Sequence, residues 1–486
     1  MSQPVSMPSH PSRQPLSWLE GMRILAAVGI LLYHAQLTFT DYAYTPEPTG
    51  LRGNLAAMAS ASDGFSGNAL ASAVALPIWF GYQAVDVFVL LAGFVFVLSR
   101  RSKANPVRPA EFIQTRLLRI LWPFWTVAWL AYPILWLIGV ATNSYRPTAW
   151  DIFAGATFPL LFDFDGRVLL ATSGPWWFIP LVISFALISP LLWHLLTRWG
   201  IRNLLLVSLG VTLLYRYAAV YHFGGHLTYT MVDTPNGWLP FIPFLARLST
   251  FVVGMAMAEA YGHRRRPLFW RPQPLILAGL LVYAVGFLAQ FYRAGWVVCD
   301  LLLPVGLVMV AGVVLRSLST LPALAATMQK LGSHSYSYFL IHAFVIDRTI
   351  NLWVQDSLAR YWVSLPLMVV GTLILAMVAD AARPLVQRSA LQVWRDLDYL
   401  LRQNLAHEDS VLMPVVGDRV GYRDNQDWIV RQVETLLDDG ETYLCQITDG
   451  QRRLWVNANA LRLVETAPTA RPSPHSTSTS ETAISR

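Results

Sequence analysis

The chain has 486 residues, of which 55% are hydrophobic and only 13% are charged, and its mean hydropathy is +0.43. This composition is too apolar for a soluble protein of this length and predicts a protein that crosses a membrane many times. The net charge of +7 does not indicate a nucleic-acid partner, because the basic residues cluster in short segments between apolar runs. Cys299 lies in an apolar run and Cys445 in a polar tail, so no disulfide is expected.

Apolar runs of membrane-spanning length follow one another along most of the chain. The first extends from Leu16 to Thr38, the fourth begins with an aromatic belt that includes Trp177, and the tenth ends near Ala382. Basic residues follow alternate runs, which places these segments and both chain termini in the cytoplasm. We therefore predict an all-α polytopic membrane bundle of about ten transmembrane helices.

The composition becomes polar beyond residue 388. Short runs typical of β-strands follow, and Asp439-Gly440 and Asp449-Gly450 stand between them as hairpin turns require. These features predict a small cytoplasmic SH3-like β-barrel. The predicted organisation is a disordered N-terminus (1–15), a transmembrane domain (16–388), a linker (389–410), a β-rich domain (411–465) and a disordered Ser/Thr/Pro-rich tail (466–486).

Two polar side chains interrupt the first apolar run. Arg23 and His34 are eleven positions apart, which at about 100° per residue places both on one helix face, about 16 Å apart along the axis. His34 can act as a general base near neutral pH or bond a neighbouring helix. Arg23 can bind a phosphate, pair with a carboxylate or extend to the membrane surface as a snorkelling cation.

Further charged residues stand in or beside the next two apolar runs. Asp86 must be paired or protonated within lipid, and a salt bridge with Arg23 or an orienting bond to His34 would each account for it. Arg116 and Arg119 share a face at the cytoplasmic start of the third span. They can bind the phosphates of a nucleotide-bearing donor, or they reflect the positive-inside rule alone.

The later predicted spans also contain polar and charged side chains. Ser335, Tyr338 and His342 fall near one face of the ninth span, where they can line a pocket or form ordinary interhelical hydrogen bonds. Arg216 and Arg247 lie in apolar runs and are either structural or line a polar cavity. The sequence contains no P-loop, HExxH helix, nucleophile elbow or metal-spaced Cys/His set, so ATP-driven and metal-dependent chemistry are not expected.

Taken in order, these motifs resemble those of the membrane-bound acyltransferase 3 family, bacterial O-acyltransferases of surface glycans. The resemblance covers residues 18–384. Ala92 stands where many members have serine, and Val87 stands where an aromatic residue is frequent. The matching segments are WLEGMR with the arginine–ten residues–histidine spacing of Arg23 and His34, VDVFVLLAGF with Asp86, RLLRILWPFW with Arg116 and Arg119, GPWWFIPLVISFALISP with Trp177, and SYSYFLIH with Ser335 and His342.

The resemblance implies an acyltransferase in the cytoplasmic (inner) membrane of a bacterium. Acyl-CoA, expected to be acetyl-CoA, binds near Arg116 and Arg119, and the acyl group passes to a hydroxyl of an extracytoplasmic or lipid-linked glycan. His34 then activates this hydroxyl or carries the acyl group itself, together with Arg23 and Asp86. The other expected pocket residues are Trp177, Arg247, Ser335, Tyr338 and His342.

Other functions remain open from the sequence. The protein can acylate a small metabolite instead of a glycan, or it can transport or flip a glycan intermediate without any acyl donor. The absence of a paired repeat of broken helices weighs against transport. The C-terminal β-rich domain has no constellation of catalytic residues and is expected to bind a protein partner or to act as a stabilising appendage.

Overall fold

The computed structural model divides the chain into two compact units, Met1–Val386 and Gln387–Arg486. The residues that it describes are 16–63, 69–101, 108–144, 146–148, 174–227, 237, 239–262, 272–408, 414, 416–422, 425–435 and 443–465. The segments expected to be disordered, 1–15 and 466–486, lie outside these residues.

The first unit is built from helices. They are α1 (Ser17–Phe39), α2 (Gly50–Ser62), α3 (Ala69–Ile78), α4 (Ala84–Arg101), α5 (Pro109–Thr142), α6 (Phe178–Tyr221), α7 (Leu248–Gly262), α8 (Pro272–Ala289), α9 (Cys299–Leu318), α10 (Pro322–Gly332), α11 (Ser335–Thr349) and α12 (Leu358–Glu408). Helix α12 continues beyond the boundary of the unit, through most of the expected linker.

Within the described residues, seven helical segments are long and apolar enough to cross a membrane. The chain is therefore a multi-pass membrane protein, as its composition predicted. The second of these segments combines α3 with α4. The seven are Ser17–Phe39, Leu70–Arg101, Pro109–Thr142, Phe178–Tyr221, Pro272–Ala289, Cys299–Leu318 and Leu358–Leu400.

The predicted number of ten spans is not confirmed. The fourth and fifth predicted spans both lie in the segment α6, where two helices meet at a kink and Gly200 between them has the non-helical angles φ 74° and ψ 164°. Only glycine adopts such a conformation without steric cost. The sixth and ninth predicted spans correspond to α7 and α11, which have 15 residues each and are shorter than the roughly 20 residues that usually cross a bilayer.

Helices α4 and α7 are in direct backbone contact through two glycines. A Cβ atom at Gly93 would lie 2.0 Å from the carbonyl oxygen of Phe251, and one at Gly254 would lie 1.9 Å from that of Leu90. Small residues allow this close approach between membrane helices, where van der Waals packing replaces the hydrophobic effect as the driving force. The two glycines therefore fix the position of α4 relative to α7.

Helix α1 is held by contacts with α4, α9, α10 and α11. Near its start, a Cβ atom at Gly332 of α10 would lie 2.3 Å from the carbonyl oxygen of Glu20. Near its middle, a Cβ atom at Gly81 would lie 2.2 Å from that of Gly29. Helix α1, which carries His34, is thus a rigid support for a site.

The second unit contains a five-stranded antiparallel sheet with the strand order β4-β3-β2-β1-β5. Strands β4 and β5 lie at its edges, so the predicted closed SH3-like barrel is not confirmed. The first of the short runs typical of β-strands, VLMPVV (411–416), lies mostly outside the described residues, and β1 begins after it. The strands are β1 (Arg419–Tyr422), β2 (Asn425–Thr435), β3 (Tyr443–Thr448), β4 (Arg453–Asn457) and β5 (Arg462–Glu465).

The turn between β3 and β4 contains the predicted Asp449-Gly450 pair. The backbone amides of Arg452 and Gln451 donate to Oδ1 of Asp449 over 2.7 and 2.9 Å. Because these bonds stabilise the carboxylate, they lower the pKa of Asp449. Gly450 has φ 92°, which completes the turn. The other predicted turn, Asp439-Gly440, lies outside the described residues.

Candidate active site

His34 on α1 and His342 on α11 form a pair in the interior of the bundle. Their ring centres are 5.4 Å apart and their planes are inclined by 36°. His34 is partly exposed, whereas His342 is 0% exposed. The structure thus brings together two predicted site residues, one from the first predicted span and one from the ninth.

The hydrogen bonding of His342 defines its tautomer. Its Nδ1 atom lies 2.6 Å from the carbonyl oxygen of Phe339, one turn earlier on α11. A carbonyl oxygen only accepts, so Nδ1 carries the proton, and the neutral ring has its lone pair at Nε2. This Nε2 atom is buried and has no hydrogen-bond partner among the described residues. A buried acceptor without a partner is rare enough to require an explanation.

Two aromatic rings pack against the histidine pair. The ring centre of Tyr33 lies 5.3 Å from that of His34, and the ring centre of Phe339 lies 5.5 Å from that of His342. Such apolar walls lower the local dielectric constant, which strengthens any hydrogen bond or charge interaction formed between the two imidazoles. The surroundings therefore suit a proton-transfer site.

Ser335 and Tyr338 share α11 with His342, and both are buried. They lie about two turns and one turn before His342 along the helix. The hydroxyl of Tyr338 has no hydrogen-bond partner among the described residues. Contact of Ser335 or Tyr338 with a substrate stays a prediction.

A cluster around Asp380 of α12 was missed in the sequence. Its Oδ1 accepts from Oγ of Ser337 over 2.6 Å, and its Oδ2 lies 2.5 Å from Nδ1 of His334. Arg383 also pairs with it. The sequence did contain a signal for this cluster: Asp380 stands three positions before Arg383 at the end of an apolar run. These contacts tie the start of α11 to α12.

Asp86 pairs with a residue that neither sequence hypothesis named. Its Oδ1 accepts from Nε of Arg247 over 2.6 Å. Arg23 pairs instead with Glu20 of its own helix, over 2.8 Å. Both predicted alternatives for Asp86, a salt bridge with Arg23 and an orienting bond to His34, are therefore wrong. The reason is that the close contact of α4 with α7 places Arg247 beside Asp86.

Arg247 connects Asp86 to a second buried ion pair. Its Nη2 atom lies 3.9 Å from Oδ2 of Asp300, which also binds Nη1 of Arg216 over 2.7 Å. The guanidinium of Arg247 lies over the ring of Trp177, 5.3 Å from its centre. Two arginines and two aspartates thus form one buried network without net charge. Asp300 was missed, although a carboxylate in the apolar run VVCDLLLP carried the same signal as Asp86.

Arg116 and Arg119 lie at the start of α5. The guanidinium of Arg116 lies 5.1 Å from the ring centre of Phe96, and Arg119 is exposed. Arg100, which the sequence analysis did not select, lies on Phe112 of the same region at 5.0 Å. Three cations therefore gather at this end of α5. Phosphate binding by them stays a prediction.

The family model described as an acyltransferase domain, that of the acyltransferase 3 family, matches residues 16–381. The chain belongs to the acyltransferase 3 family. No curated protein and no solved structure matches it. The matched range of this acyltransferase 3 domain includes every predicted site residue, the histidine pair and the buried ion network, and it ends before the second compact unit begins.

Proposed function

We propose that this acyltransferase 3 protein is a membrane O-acyltransferase that moves an acyl group, expected to be acetyl, from acyl-CoA to a hydroxyl of a glycan or lipid-linked sugar. The observation that carries the proposal is the pair of His34 and His342 inside a membrane acyltransferase domain. His34 is the partly exposed member of the pair, and we therefore assign the contact with the substrate to it.

Acyl transfer to a hydroxyl requires a group that removes the hydroxyl proton. A neutral imidazole does this as the oxygen attacks the thioester carbonyl, and it then returns the proton to the leaving thiolate. In a second route His34 attacks the thioester itself and carries the acyl group to the acceptor. In both routes the carbon–sulfur bond breaks, an ester bond forms, and the proton of the hydroxyl ends on the thiol of CoA.

Arg100, Arg116 and Arg119 are the residues that we assign to the acyl-CoA phosphates. Guanidinium groups bind phosphate through charge-assisted and often bidentate hydrogen bonds. Stacking on aromatic rings holds Arg100 and Arg116 in place, while Arg119 is exposed to an approaching ligand. In the topology predicted from the basic segments, this end of the bundle faces the cytoplasm, which contains acyl-CoA.

The network of Asp86 and Arg247 supports the site without reacting in our proposal. The carboxylate of Asp86 is engaged by Arg247, so it is not a free base. Its role is to hold α4 beside α7 and to keep the Arg247 guanidinium against Trp177. Truncation of one member leaves a buried charge unpaired, and we therefore expect a loss of folded protein rather than a selective loss of chemistry.

The test is acyl transfer by membranes that contain the wild type or His34→Ala. The membranes are incubated with radiolabelled acetyl-CoA, and label is measured in the extracted glycan and lipid-linked sugar fractions. We expect His34→Ala to lose at least about a hundredfold in rate. His194→Ala, which changes an exposed histidine of α6, is the control.

Equal incorporation of label by the wild type and His34→Ala would exclude a catalytic role for His34. Label recovered in a small molecule instead of a glycan would identify metabolite acylation. Movement of a glycan across vesicle membranes without acetyl-CoA would support a transporter.

A further inference from the structure

We propose that His342 is the positioning residue for His34. In the reactive arrangement, Nε2 of His342 accepts a hydrogen bond from the His34 ring, so that the opposite nitrogen of His34 is the one that meets the substrate. This inference rests on the proposed acyl transfer and adds a specific role for the buried member of the pair.

The first observation that supports this role is the tautomer of His342 and its acceptor nitrogen, which is unpaired in the part of the chain that the structure describes. The Phe339 carbonyl accepts the Nδ1 proton, which leaves Nε2 as an acceptor. Because this acceptor is buried without a partner among the described residues, it has been removed from water without compensation. A hydrogen bond from His34 would supply the missing partner.

The distance between the rings permits this bond. With ring bonds of about 1.3–1.4 Å, each nitrogen of an imidazole lies about 1.15 Å from the ring centre, so facing nitrogens of two such rings can approach to about 3.1 Å. Two rings with centres 5.4 Å apart can therefore turn facing nitrogens to within hydrogen-bond distance. His342 is tethered and buried, so the adjustment falls to the side chain of His34, which is partly exposed.

Burial also separates the roles of the two histidines. A 0% exposed His342 has no surface open to a sugar hydroxyl, whereas His34 has one. Tyrosines pack near the pair: the ring centre of Tyr33 lies 5.3 Å from that of His34, that of Tyr82 lies 5.4 Å from that of Tyr33, and Tyr338 lies one turn before His342 on α11. Tyrosine is neutral near pH 7, so these side chains place no charge beside the pair. His342 is a neutral acceptor because its Nδ1 proton is donated to a backbone carbonyl and its lone pair lies at Nε2.

The consequence for the reaction is stabilisation of the imidazolium. When the free nitrogen of His34 takes the hydroxyl proton, its other N–H already points at Nε2 of His342, which shares the positive charge in apolar surroundings. The O–H and C–S bonds break, the ester C–O bond forms, and His34 then gives its proton to the thiolate. The arrangement follows the logic of catalytic triads, in which a third group fixes the tautomer of the base.

The test compares two variants of His342. His342→Phe keeps a ring but has no acceptor, and His342→Gln keeps an acceptor oxygen. Transfer from radiolabelled acetyl-CoA is measured in membranes from pH 5.5 to 8.5. We expect His342→Phe to lower kcat by about 10²–10⁴, the range for general-base effects, with little change in KM for acetyl-CoA. His342→Gln should recover part of the loss.

The pH profile separates positioning from packing. Loss of the neutral acceptor disfavours the His34 imidazolium, so the acidic limb of the profile for kcat/KM should move to lower pH in His342→Phe. Thr372→Val is the control, since it removes a buried hydroxyl without a partner among the described residues, elsewhere in the bundle. It should leave both the rate and the pH profile unchanged.

Three results would overturn the inference: wild-type transfer by His342→Phe, equal losses in His342→Phe and His342→Gln, or a loss with an unshifted pH profile. If His342→Phe does not fold, His342→Gln is compared with His342→Met, which has similar size and only a weak acceptor, and equal rates contradict the inference. If His34→Ala loses transfer but His342→Phe does not, the proposed function stands and the positioning role fails.

Discussion

Nε of Arg247 donates to Oδ1 of Asp86 over 2.6 Å in a part of the bundle where both side chains are 8% exposed. The contact joins α4 to the turn before α7, and the second arginine of the network, Arg216, binds Asp300 in the same way. Buried ion pairs often add little net stability, because desolvation offsets their attraction, but the loss of one partner is costly.

Asp86→Ala is therefore expected to destabilise the protein by about 3–5 kcal/mol, because the Arg247 guanidinium is left buried without its main partner. The measurement is thermal unfolding of the detergent-solubilised protein. The matched control is the double variant Asp86→Leu/Arg247→Met, which removes both charges and should be more stable than Asp86→Ala. If Asp86→Ala unfolds at the wild-type temperature, the network is not structural.

The glycine contact between α4 and α7 predicts a sharp difference among alanine substitutions. Gly254→Ala would place a Cβ atom 1.9 Å from the Leu90 carbonyl oxygen, so the helices must separate, at a cost of about 1–3 kcal/mol or more. Gly371→Ala on α12 meets nothing within 4 Å and should be neutral or stabilising by up to about 1 kcal/mol. Thermal unfolding of both variants checks this, and similar behaviour of the two would contradict the close packing.

The arginines at the start of α5 predict a selective effect on donor binding. Arg119→Gln should raise KM for acetyl-CoA about ten- to hundredfold with little change in kcat, because a charge-assisted phosphate contact contributes about 1.5–3 kcal/mol and is made before the reaction. Arg52→Gln, which changes an exposed arginine of α2, is the control. A lower kcat at unchanged KM would contradict a role in donor binding and would indicate that Arg119 acts in the chemical step.

Removal of the five-stranded sheet of the second compact unit should leave the chemistry intact. A chain that ends after Gln403 retains the whole family match of residues 16–381 and every residue of the candidate site. We expect its transfer rate per folded molecule in membranes to stay within about twofold of the wild type, since truncation tolerance follows the contacts of the removed backbone. Complete loss of transfer by a normally folded truncation would assign the sheet a role in catalysis.

The sequence by itself determined the class of the protein. Three local properties of the chain indicated this class: hydropathy over about 20 residues, the basic segments, and the spacing of Arg23 and His34. Local properties can be evaluated without knowing how the helices pack. The same locality explains why the turn at Asp449-Gly450 was predicted. The count of ten spans was not confirmed, because the ends of helices such as α7 and α11 depend on contacts with neighbouring helices and not on local sequence alone.

The tertiary structure alone decided which polar groups meet. Asp86 and Arg247, like His34 and His342, lie on helices far apart in the chain, and their contact depends on how α4 approaches α7 and how α1 approaches α11. Helix periodicity gives the face of a side chain but not the helix that covers this face. For that reason Arg23 was an acceptable partner for Asp86 in the sequence, and only the observed ion pairs, Asp86 with Arg247 and Arg23 with Glu20, excluded it.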